Sequence, residues 1–131
     1  MGIKVLLVDD EKEFIDALAQ RLEMRGFETM IAYSGTAAIE KISAEDVDVI
    51  VLDIKMPGME GIEALEKIKA IRPGVEVVML TAHGSLSEAM VAMKKDAHDF
   101  IMKPASIDVI IDKINTAYEV KLLNGKRGKA R

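Results

Sequence analysis

The chain has 131 residues, half of them hydrophobic and 31% charged, with a net charge of −4 and no cysteine. That composition fits one globular domain with a sizeable core and argues against disorder, and the charge gives no general attraction to nucleic acid or an anionic membrane. The lack of cysteine excludes a disulfide framework or thiolate metal site and fits a reducing compartment, with the cytoplasm as default; no apolar run approaches the ~20 residues that span a bilayer.

Ile3 to Val8 reads as a first buried strand, closed by the acidic run Asp9-Asp10-Glu11. It begins at once, so no signal peptide is expected. An amphipathic helix follows, with Phe14, Leu18 and Leu22 as its apolar stripe and Ala17 beside them. Arg25-Gly26 ends it, Gly26 suiting a left-handed cap. Phe27 to Tyr33 alternates weakly, as an edge strand does, and Ser34 then caps a second helix with Ala38 and Ile42 facing inward. Val47 to Asp53 is almost unrelieved apolar, a strand buried on both faces that stops at a carboxylate; Pro57-Gly58 turns the chain.

A third helix from about Gly61 carries Ile62, Leu65 and Ile68 and is stopped by Arg72-Pro73-Gly74. Val75 to Thr81 is a fourth strand. The helix after it sets Leu86, Ala89, Met90 and Met93 at helical spacing, a stripe more often core than binding surface, though Met also suits adaptable interfaces. Asp99 to Met102 is a short fifth strand ending in Lys103-Pro104. A last helix with Ile107, Ile110, Ile111, Ile114, Ala117 and Tyr118 fades near Leu123-Asn124-Gly125, and the basic stretch 124–131 is expected to be a tail or the start of a linker.

Five strands alternating with five helices predict a single-domain α/β fold, a doubly wound parallel sheet with helices on both faces. All strand ends then share one edge, where ligands bind in such sheets. Asp9 and Asp10, Asp53, Thr81 and Lys103 stand at four of those ends. The common order 2-1-3-4-5, taken from the fold class and not read from these residues, makes strands one and three neighbours, so three carboxylates converge. Mutual repulsion there is relieved by a hard divalent cation such as Mg²⁺. Lys103 adds a compact positive charge and Thr81 a hydroxyl donor. Together they suit phosphoryl transfer, with Asp53 as nucleophile and the adjacent pair Asp9 and Asp10 holding the metal. Each residue alone reads as a cap or a solvated loop residue; four at one edge do not.

From about Ile3 to Leu123 the chain resembles the receiver domain of two-component response regulators, with its flavodoxin-like five-stranded fold. The matching residues are Val8-Asp9-Asp10, Asp53 with Met56-Pro57-Gly58, Thr81-Ala82, and Phe100-Ile101-Met102-Lys103-Pro104. The resemblance implies that residues 1–123 form the phosphoacceptor domain and that Asp53 takes a phosphoryl group from a sensor histidine kinase or a small donor such as acetyl phosphate. It implies Mg²⁺ held by Asp10, Asp53, the Lys55 backbone carbonyl and, partly through water, Asp9, with Thr81 and Lys103 on the phosphoryl oxygens. It further implies a cis Lys103-Pro104 bond and a switch pair, Thr81 and Phe100. That pair would alter the face of the fourth helix, fifth strand and fifth helix toward an output domain, a downstream protein or a second copy.

Such a domain is a self-modifying switch and not a turnover enzyme, with no membrane and no direct nucleic-acid contact expected. Asp96 stands where the family usually has glycine, and Asp tolerates a left-handed backbone there. Lys55 and His83 fall where the family tunes phosphate loss; His83 is read as a loop residue and His98 as a surface one. Residues from Gly84 to Lys95 resemble receivers of enhancer-binding transcription activators. An aspartyl-phosphate hydrolase is disfavoured by Lys55, where those enzymes have a second Asp, and a flavin module by the lack of a phosphate-cradling loop after the first strand. All the acidic and phosphoryl-binding positions are filled, which disfavours a docking-only pseudo-receiver.

Overall fold

The structure, a computed structural model, describes residues 2–56, 60–82 and 86–129, with side chains through residue 125. Pro57, Gly58, His83 and the Gly84-Ser85 pair lie outside the described residues. The elements run β1 (Lys4–Val8), α1 (Lys12–Glu23), β2 (Glu28–Ala32), α2 (Gly35–Ala44), β3 (Val49–Asp53), α3 (Gly61–Ile71), β4 (Glu76–Thr81), α4 (Leu86–Lys94), β5 (Asp99–Met102) and α5 (Ile107–Lys129). All strands pair in parallel in the order β2-β1-β3-β4-β5, as the fold class requires.

Strand side chains alternate across the sheet, which explains the two cores. Leu6, Val8, Ile50, Leu52, Val77 and Met79 pack against α2, α3 and α4. Val5, Leu7, Val49, Val51, Val78 and Leu80 pack against α1 and α5. Both faces of β1, β3 and β4 are therefore apolar, and their sequences read as continuous hydrophobic runs. Edge strand β2 is only half-buried, as its weak alternation predicts. Ser34 caps α2, its Oγ accepting from the Ala37 N–H at 3.1 Å. Gly26 has φ +92° and Asp96 φ +71°, the left-handed backbone anticipated at both.

Several expectations are corrected. The buried stripe of α1 is Ile15, Leu18, Ala19 and Leu22, while Phe14 and Ala17 face outward. The stripe on α4 is not core: only Ala89 and Ala92 are buried, and Leu86, Met90, Val91 and Met93 stay exposed. Small residues let this short helix approach the sheet closely, which leaves its large side chains outside. His98 is mostly buried, its Nδ1 3.8 Å from Glu76 Oε1, and Glu76 is itself buried at the start of β4. Helix α5 does not fade near Gly125 but continues to Lys129.

Candidate functional site

Asp9 follows β1 directly, and its backbone N–H donates to Ala32 O at 3.2 Å. Its Oδ1 accepts from the Glu11 N–H at 2.9 Å, turning the chain into α1. Asp9 is fully buried and Asp10 exposed, so the adjacent pair splits between pocket floor and rim. Asp53 closes β3 and is 4% exposed. One carboxylate oxygen each from Asp9, Asp10 and Asp53 lies within 4.8 Å of the others. The ligands of a single octahedral cation with ~2.1 Å bonds sit about 3–4.2 Å apart, so this all-oxygen set fits Mg²⁺. It is the only cluster of three potential metal-binding side chains found among the described residues.

The electrostatics agree. Burial first, then the Asp9 charge, pushes Asp53 up to about 7, with Asp10 adding to the rise; Lys103 and the Lys55 backbone amide oppose it. Like charges crowded in a low dielectric are the cause. Lys103 reaches in from the end of β5, its Nζ 2.8 Å from Asp9 Oδ2 and 2.9 Å from Glu11 Oε1. Burial would lower its pKa, but the Asp9 and Glu11 hydrogen bonds and the Asp53 charge raise it, so the ammonium is firmly charged. The Lys103-Pro104 bond is cis.

Thr81 lies one residue beyond Leu80, the register partner of Asp53. Its side chain is buried, and its hydroxyl donates to Ala82 O at 3.3 Å. The Lys103 N–H donates to Thr81 O at 2.7 Å, joining the two strand ends. Phe100 is half-buried against the core beneath α2, α3 and α4, away from the carboxylates. The Lys55 side chain turns from the pocket, its Nζ 3.2 Å from Glu88 Oε1 on α4.

Two residues given no role at the sequence level shape this site. Glu11 is the second carboxylate on Lys103; its place in the acidic run was the available signal. Gly61 opens α3 so tightly against β3 that a Cβ there would sit 2.2 Å from Asp53 O and 2.6 Å from Ile54 Cα. Only glycine allows that approach, and a lone glycine at a helix start does not announce it.

A doubly wound parallel sheet with three carboxylates, a lysine and a threonine at its carboxyl edge defines a flavodoxin-like acidic-pocket protein. The family described as the response regulator receiver domain matches residues 5–115, and the chain belongs to it. It is 34% identical over 119 residues to the C4-dicarboxylate transport transcriptional regulatory protein DctD of Rhizobium meliloti, a match covering 91% of this chain and 26% of that protein. The transcriptional regulatory protein ZraR of Escherichia coli is 34% identical over 107 residues, or 82% of this chain and 24% of that one. The chain thus spans about a quarter of the length of these relatives. Among solved structures, a receiver domain protein from Clostridium thermocellum superposes with a TM-score of 0.88 at 34% identity, covering 92% of this chain and 98% of that one. NtrX from Brucella abortus, in complex with ADP, gives 0.94 at 32% identity, covering all of this chain and 30% of its own.

Proposed function

We propose that the chain is a phosphoacceptor switch in which Asp53 takes a phosphoryl group from a sensor histidine kinase or from acetyl phosphate. The observation that carries this reading is the convergence of Asp9, Asp10 and Asp53 beside the Lys103 ammonium. An Asp53 carboxylate oxygen forms a bond to phosphorus as the donor bond breaks. Acetate leaves as its anion; a kinase imidazole leaves neutral, the proton held on its other nitrogen. Hydrolysis reverses the modification: water attacks phosphorus, inorganic phosphate leaves, and Asp53 regains its carboxylate. The chain modifies itself and is no turnover enzyme.

Asp10, Asp53, the Lys55 carbonyl and Asp9 in part through water would hold Mg²⁺, which neutralises carboxylate and phosphoryl charge when bound. Lys103 supplies ammonium donors to the phosphoryl oxygens and Thr81 its hydroxyl. A phosphoryl group adds about 1.5–2 negative charges. Thr81 exchanges its long bond to Ala82 O for a phosphoryl oxygen, and Phe100 turns further inward. That shift favours a second arrangement of α4, β5 and α5, the face toward an output domain, a downstream protein or a second copy. Transcriptional regulators among the relatives support an output in transcription, with the chain acting in the cytoplasm beside its kinase.

The test is intact mass after incubation with Mg²⁺ and acetyl phosphate. A single labile phosphoryl adduct, absent from Asp53→Asn, is expected. Equal labelling of that variant would remove Asp53 as the acceptor.

A further inference from the structure

We propose that Glu11 and Phe14 are positioning residues that hold the Lys103 ammonium at the acceptor when a divalent cation occupies the carboxylate cluster. This rests on the phosphoacceptor reading of the site.

The geometry begins with a helix cap that does not cap. Glu11 is the N-cap residue of α1, yet its side chain makes no bond to the helix N–H groups. Ser, Thr, Asp or Asn serves that role best, and Glu is a poor substitute. The Glu11 carboxylate instead reaches Lys103 Nζ at 2.9 Å. The Glu11 backbone is pinned on both sides: its N–H donates to Asp9 Oδ1 at 2.9 Å and its carbonyl accepts from the Ile15 N–H at 3.0 Å. Phe14, one turn on, is the aromatic that the α1 core stripe omits. Its ring centroid lies 4.6 Å from Lys103 Nζ. A ring face attracts an ammonium without consuming a hydrogen-bond donor.

An ammonium has three donors. Asp9 takes one at 2.8 Å and Glu11 a second, which leaves one for a phosphoryl oxygen. The two carboxylates then diverge. Asp9 belongs to the three-carboxylate cluster and Glu11 does not. A dication in the cluster therefore competes with Lys103 for the charge of Asp9 and leaves Glu11 untouched. With the cation bound, Glu11 is the anchor that keeps its full charge, and the Phe14 ring limits where the long, flexible lysine stem can swing. A charge fixed before the reaction stabilises the transferring group without reorganisation.

A merely structural Glu11, acting on the α1 dipole, would affect stability alone. The test therefore uses the full chain with Mg²⁺ as the bound cation and compares Glu11→Gln in two backgrounds, Lys103 intact and Lys103→Met. With Lys103 present, Glu11→Gln is expected to slow adduct formation from acetyl phosphate about fivefold, equivalent to about 1 kcal/mol. In Lys103→Met it is expected to change the rate little, because coupled residues are non-additive. The same factor in both backgrounds would overturn the proposal.

A second readout needs no phosphorylation. Peptide mass mapping follows acetylation of the Lys103 amine by acetic anhydride in Mg²⁺. Glu11→Gln and Phe14→Leu are each expected to speed that acetylation severalfold relative to other lysines. Unchanged Lys103 reactivity in both variants overturns the proposal even if Lys103→Met fails to fold. A native chain that gains no phosphoryl group at Asp53 refutes the phosphoacceptor reading, while the acetylation result still decides whether Glu11 and Phe14 hold Lys103.

Discussion

At the scale of single residues, the site is a concentration of negative charge that the fold tolerates because Lys103 opposes it. Asp53 is buried and its ionised form is disfavoured, first by burial and then by Asp9. Asp53→Asn removes that charge without changing the shape. The cation-free variant is expected to be more stable than the native chain at pH 8 by on the order of 2 kcal/mol, and to lose all phosphorylation. A thermal melt in chelator checks it, and a lower melting temperature would contradict the repulsion described. Lys103→Met acts in the opposite sense. It strands the fully buried Asp9 carboxylate without its cation, which is expected to destabilise the cation-free protein by about 3 kcal/mol. Mg²⁺ should restore much of that stability, since Asp9, Asp10 and Asp53 stay in place; a melt that Mg²⁺ leaves unmoved would count against the cation site. These residues were legible in the sequence because each stands at or just past the end of a strand, where a polar side chain interrupts an apolar run. Glu11 was not, because a glutamate opening a helix has a sufficient ordinary explanation in the helix dipole.

At the scale of elements, two junctions hold the site in register. The first is α3 on β3, where Gly61 N–H donates to Ile54 O at 2.8 Å and no Cβ fits between the chains. Gly61→Ala must push the start of α3 off Asp53, with an expected loss of about 1–3 kcal/mol and a fall in phosphorylation rate. Unchanged stability and labelling would show that the junction yields freely. The second is β5 on α5, where Lys113 Nζ pairs with Asp99. Burial would raise the Asp99 pKa, but Lys113, the Phe100 N–H and the nearby His98 hold it below the usual carboxylate range. A depressed carboxyl stabilises the fold above its ordinary pKa of ~3.9, and the gain is lost as pH falls through the lower folded value. Lys113→Met should therefore destabilise at pH 7 by about 0.5–1 kcal/mol, the pair being partly exposed. The deficit should shrink toward zero below about pH 3, and denaturant melts showing an undiminished deficit there would exclude this tie. Helix periodicity showed that Phe14, Leu18 and Leu22 share a stripe, but Ile15 and Ala19 offer a second one rotated by one residue. Only the sheet decides which turns inward. In α4 the same ambiguity put large Met and Leu side chains in the core where only two alanines are buried.

At the scale of the whole molecule, the sheet separates two cores, and the site lies at its carboxyl edge. Thr81 and Phe100 lie on the neighbouring strands β4 and β5; in the proposed switch they would carry a change at Asp53 toward α4. Leu86, Met90 and Val91 of α4, Met102 of β5 and Val109 of α5 are all exposed. Large exposed apolar patches mark interaction sites in general, and Met side chains adapt to a partner without a fixed fit. Helical spacing placed Leu86, Met90 and Met93 of α4 in a core because it records which side chains are apolar and says nothing of what covers them. If phosphorylation favours the arrangement of this face that binds a second copy, a lysine at its centre must break association and leave the chemistry alone. Met90 is 54% exposed and makes no part of either core, so Met90→Lys is expected to fold with less than about 0.5 kcal/mol change. It should acquire the Asp53 adduct at the native rate yet remain monomeric in sedimentation velocity under conditions where the phosphorylated native chain dimerises. A variant that dimerises as the native chain does would move the interface off α4. A native chain that stays monomeric when fully phosphorylated would confine the role of this face to an output domain or a separate protein, and the same substitution would then be read in that complex.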